Sequence, residues 1–91
     1  MTEPTWLKAA ADRSAQETWT LGYALAQYRL KHQLAEEALA EHLECSVETL
    51  RSLCLVRRPE GAEHAQQLRA IVQRFPASAE KLEALLQEIS G

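Results

Sequence analysis

Residues 62–90 carry the plainest pattern in the chain. Leu68, Ile71, Val72 and Phe75 recur every three or four positions, and the same spacing returns at Leu82, Leu85, Leu86 and Ile89. That interval lines apolar side chains along one stripe of an α-helix. Between the two stripes stands Pro76-Ala77-Ser78: the proline cannot continue a helix, and the serine is placed to cap the next one. Upstream the three-to-four spacing persists and almost nothing alternates with period two, so strands are not expected. Apolar residues are 46% of the chain, mostly Ala and Leu, with aromatics only 5%; that mixture favours helix over strand. A length of 91 residues allows one domain. The expected fold is therefore all-α, a compact bundle of five to six short helices.

The breakers divide this bundle. A first helix is expected over about residues 4–15, with Trp6, Ala9, Ala10 and Arg13 at helical spacing, Thr2 as its cap and Pro4 in its first turn. A second, over about 18–32, carries Leu21, Ala24, Leu25 and Tyr28 on one face. Gly22 inside it costs about 1 kcal/mol relative to Ala, which points to the close approach of a neighbour. A third helix spans about 35–43 with Leu39, Ala40 and Leu43 inward, and a fourth about 46–56 with Ser46 as cap and Val47, Leu50, Leu53 and Cys54 in a stripe. Arg57-Arg58-Pro59 end it. The C-terminal pair fills about 62–90. Trp6, Trp19, Tyr23 and Tyr28 are expected to pack the N-terminal helices together; an exposed Trp6 would instead mark an interface.

Several function classes are excluded at this level. No apolar run reaches the ~18 residues that cross a bilayer, and the acidic start lacks the order of a signal peptide, so a cytoplasmic protein with no membrane contact is expected. Cys45 and Cys54 then read as reduced thiols, one in a turn and one as a small buried apolar group. Neither their spacing nor the placement of His32, His42 and His64 makes a zinc pattern. His42 and Cys45 are spaced i, i+3, as on one helix face, but two ligands do not make a metal site. There is no Gly-rich phosphate loop and no nucleophile beside a base, so neither an enzyme nor a cofactor is expected.

The informative stretch is residues 34–53. It holds two short amphipathic helices joined by a tight turn, with small Ala40 where they cross and Leu39, Leu43, Val47, Leu50 and Leu53 as anchors. Such a pair leaves the outer face of its second helix projecting, able to enter a major groove. Leu39-Ala40, Leu43, Ser46, Leu50 and Leu53 resemble the helix-turn-helix family of phage Cro and repressor proteins (XRE-type), over about residues 21–58. The resemblance implies a DNA-binding transcriptional regulator that docks residues 46–56 in the major groove of double-stranded DNA. It places Val47, Glu48, Thr49 and Ser52 against base edges and Arg51, Arg57 and Arg58 on phosphates, with Arg29 and Lys31 extending that patch. Members of such a family commonly dimerise to join half-sites roughly 34 Å apart. Leu82, Leu85, Leu86 and Ile89 either form that homodimer contact or pack back on the core.

Four positions depart from the family. Ala35 stands where a capping Thr or Ser is usual, Glu36 where Gln reaches a phosphate, and Glu44 where the turn has Gly; Glu48 adds a carboxylate to the reading face. Across residues 21–58 the bases Arg29, Lys31, Arg51, Arg57 and Arg58 are matched by the acids Glu36, Glu37, Glu41, Glu44 and Glu48, and the whole chain carries −3. DNA binding normally draws on net positive charge. A second reading follows: a protein-interaction adaptor on the same scaffold, presenting Glu36, Glu37, Glu41 and Glu48 to a basic partner. The plainer reading of Val47, Glu48, Thr49 and Ser52 is a solvated helix face with Val47 partly packed, and that of Arg57-Arg58 is a favourable charge at a helix C-terminus.

Overall fold

In the computed structural model, which describes residues 4–59 and 61–90, local capping chemistry sets the helix limits. Six α-helices are present among the described residues: α1 (Thr5–Ser14), α2 (Leu21–His32), α3 (Glu36–His42), α4 (Val47–Cys54), α5 (His64–Arg74) and α6 (Ala79–Ser90). A 3₁₀ turn, Gly61–Glu63, leads into α5. Apart from an isolated antiparallel bridge between Thr20 and Arg57, no β-structure occurs among the described residues. Nor is any helix there long and apolar enough to cross a membrane.

Ser46 caps α4 by accepting the Thr49 N–H at 3.0 Å, and Ser78 accepts the Lys81 N–H at 3.3 Å. Thr20 accepts the Tyr23 N–H and donates its hydroxyl to the Ser14 carbonyl at 2.7 Å, so one side chain starts α2 and anchors the end of α1. Ala35 supplies no side-chain cap to α3; Glu36 and Glu37 in the first turn offset the helix dipole instead. Thr2, the expected cap of α1, lies outside the described residues, and Pro4 occupies that position.

The core is leucine-based. Leu21, Leu25, Leu39, Leu43, Leu50, Leu53, Leu82 and Leu85 are its largest fully buried side chains. Leu82, Leu85 and Leu86 of α6 are at most 2% exposed, and Ile89 packs against the same cluster. Of the two uses expected for this stripe, the structure has the intramolecular one. Leu82, Leu85 and Leu86 pack against α2 and the rest of the core, and Ile89 is half-buried beside them.

Gly22 sits where three helices meet. A Cβ there would lie 2.0 Å from Ser14 Oγ of α1 and 2.8 Å from the Cys54 carbonyl oxygen of α4, so the absent side chain sets how closely the helices approach. This close approach decides which face of α1 turns inward. The small stripe Leu7, Ala11 and Ser14 is buried. Of the stripe expected to pack, Trp6, Ala9 and Arg13 are exposed and Ala10 is half-buried, with Trp6 61% exposed and Trp19 of the following turn 53% exposed. An indole is too large for the close approach of α1 and α4 at Gly22. Tyr28 is half-buried against the His32 and His42 rings rather than α1, with centroids 4.3 and 5.8 Å away.

Candidate functional site

The α3–α4 pair is built by backbone geometry at its turn. The Cys45 N–H bonds the Ala40 carbonyl at 2.9 Å and the Glu44 N–H bonds the Glu41 carbonyl at 3.0 Å. These two bonds form a Schellman closure, which needs a left-handed residue between them. Glu44 supplies it at φ 60°, at a cost of about 1 kcal/mol relative to glycine. Gln33 does the same at the end of α2, with φ 54°. Both ends are closed without glycine.

Arg51 and Glu36 clamp the pair together. Arg51 Nε donates to Glu36 Oε2 at 2.8 Å and Nη2 to Oε1 at 2.7 Å, with the side chains only 16% and 20% exposed. This bidentate bond holds the Glu36 carboxyl below its usual range despite partial burial, and the Arg51, Arg29 and Lys8 charges add to the effect. The carboxylate that a phosphate would repel is thus internally neutralised. So is the arginine that a phosphate would attract.

The other sequence-derived positions separate into layers. Glu48 is exposed at the start of α4, while Val47 is half-buried against the core. The Thr49 hydroxyl accepts from Ser46 Oγ at 3.0 Å. Ser52 is half-buried and lines a groove with Trp6 and Leu7, because α1 lies along α4. Glu37 and Glu41 are exposed on α3. Glu37, Glu41 and Glu48 are therefore exposed acids of the pair, while Glu36 is turned into the clamp.

Arg57 and Arg58 are presented by a backbone staple. The Leu21 N–H bonds the Val56 carbonyl at 2.7 Å and the Arg58 N–H bonds the Trp19 carbonyl at 2.9 Å, and Arg57 is exposed. Arg29 and Lys31 do not extend this patch. Arg29 Nε donates to the Leu34 carbonyl at 3.2 Å, and Lys31 pairs with Glu88 of α6 at 3.3 Å. His32 also binds Glu88, and with Lys31 it holds that carboxyl below its usual range.

Burial pushes the Cys54 thiol up to about 12 and raises Cys45 as well, so neither is a ready nucleophile. Among the described residues no group of three or more His, Cys, Asp or Glu could hold a metal ion.

One feature escaped sequence reasoning. Leu55 lies between two grooves, one of about 520 Å³ shared with Trp6, Val56 and Phe75, and one of about 370 Å³ shared with Ala10, Arg13 and Trp19. The available signal was a tryptophan on a helix whose neighbouring stripe holds smaller residues. No family model matches the chain, and neither a curated protein nor a solved structure matches it.

Proposed function

We propose that this protein is a non-catalytic protein-interaction adaptor on a helix-turn-helix scaffold of the Cro and repressor type. Glu44 in the left-handed conformation, where that family usually has glycine, supports the scaffold, as does the Ser46-capped α4. The observation that carries the adaptor reading is the Arg51–Glu36 clamp. It ties up the one arginine within α4, while α1 half-covers Ser52 and Glu48 remains exposed on the same helix. A surface that presents Glu37, Glu41 and Glu48 suits a lysine- or arginine-bearing protein segment better than a phosphate backbone.

The test is a titration of the full chain with a fluorescent lysine-rich helical peptide. Binding should be salt-sensitive and should vanish in the triple variant Glu37→Lys, Glu41→Lys, Glu48→Lys. Equal binding by the wild type and the triple variant would remove the acidic face from the account.

A DNA-binding regulator is the second reading, favoured by the staple that holds Arg57 and Arg58 just past α4. It uses Val47, Glu48, Thr49 and Ser52 on bases and Arg51, Arg57 and Arg58 on phosphates, and it requires Arg51 to leave Glu36. Both readings place the protein in the cytoplasm, where reduced cysteines persist.

A further inference from the structure

We propose that the trough between α1, the end of α4 and α5 is a docking site for an acidic amphipathic helix of a protein partner. It is lined by residues other than Glu37, Glu41 and Glu48 and goes beyond the reading above.

Of the two grooves that meet at Leu55, the larger runs on into a third, of about 440 Å³, through shared Val56, Ala70 and Ile71. The floor is aliphatic and the walls are aromatic: Leu55, Val56 and Ile71 below, with Trp6, Trp19 and Phe75 beside them. Large tryptophan surfaces left in water are costly unless something covers them, and Trp with Arg is the composition of binding hot spots. A helix with apolar residues at i, i+4 and i+7 fills such a trough.

Charge selects the occupant. Arg13, Arg57 and Arg74 are exposed along the trough, and Arg74 also lies 5.5 Å from the Phe75 ring centroid. Among the described residues that line it, the one acid is Glu17, at the end near Trp19. In a chain of net charge −3, this basic rim is a local reversal that calls for acidic flanks on the partner. A second copy joined across a two-fold axis would set the same arginines against one another. Single-stranded nucleic acid needs stacking platforms along a basic track, whereas this floor is aliphatic and its two indoles line separate grooves.

The chain has two tryptophans, and both flank the trough, so their emission reports on it directly. The full chain is titrated with a synthetic helix of Leu at i, i+4 and i+7 and Glu on its remaining face. Controls are the same peptide with Lys for Glu, and an oligothymidine. The Leu/Glu peptide should give a saturable blue shift; the Lys peptide and the oligothymidine should give none. Trp6→Ala and Arg74→Glu should each weaken binding about tenfold with an unchanged thermal melt, since both residues are exposed. Three results overturn the proposal: no saturable shift with the Leu/Glu peptide, an equal shift with either control, or self-association of the chain that quenches the response.

Discussion

The first and last helices of the chain use the same spacing to opposite ends. α6 sends Leu82, Leu85 and Leu86 into the core, each at most 2% exposed, and burial of such a side chain is worth roughly 2–3 kcal/mol. α1 packs through the smaller Leu7, Ala11 and Ser14 and keeps Trp6 in solvent. α6 is thus a core helix, and α1 is a cover whose outer face remains open. The same period thus buries leucines in one helix and leaves a tryptophan on the surface of the other.

That division is open to direct attack. Leu82→Ala should destabilise by about 3–4 kcal/mol, read by chemical denaturation, because it empties a fully buried site. Gly22→Ala should cost about 2 kcal/mol by the same measurement, even though alanine is the better helix former. Adding Ser14→Ala should restore only part of this, since the Cys54 carbonyl still stands 2.8 Å from the new Cβ. A neutral or stabilising Gly22→Ala would mean that α1 is not seated as described.

Glu36→Gln should cost about 1.5–2 kcal/mol by breaking a mostly buried charge-assisted pair. The pH dependence has a definite sign. Glu36 is depressed in the folded state, so its contribution is present above the unfolded carboxylate value of about 4.3 and is lost as pH falls through the lower folded value. The stability of the wild type should therefore fall on acidification through this range, and that of Glu36→Gln should fall less. Smallest of all, Trp6→Ala should change stability by less than about 0.5 kcal/mol. A cost approaching that of Leu82→Ala would erase the contrast between the two helices.

Much of the architecture was legible from residue order. The leucine stripes, the breaks at Pro59 and Pro76, and the caps Ser46 and Ser78 all follow from local chemistry, and local chemistry is what periodicity and capping record. The inward face of α1 was not legible. Trp6, Ala10 and Arg13 lie one position out of step with Leu7, Ala11 and Ser14, so two stripes of equal period compete. Apolar weight favours the tryptophan; the narrow cleft at Gly22 favours the small residues, and only the assembled helices show the cleft. The Arg51–Glu36 clamp was hidden for a similar reason. Its partners are 15 residues apart across a turn, and a sequence presents them as two separate charges with opposite implications. Glu44 was read as a departure from a glycine turn, yet its backbone adopts the conformation that glycine favours.

The central claim is that α4 is held by its own chain rather than offered to a DNA groove. Fluorescence anisotropy of the full chain against labelled duplex DNA, repeated from about 50 to 200 mM salt, tests it most directly. With Arg51 clamped and Arg57 and Arg58 the cations beside α4, binding should be weak and indifferent to sequence. Its log–log salt slope should be no steeper than about −2. A slope near −5 with preference for one duplex, abolished by Arg51→Ala, would show that Arg51 reaches phosphate and that the second reading is the right one.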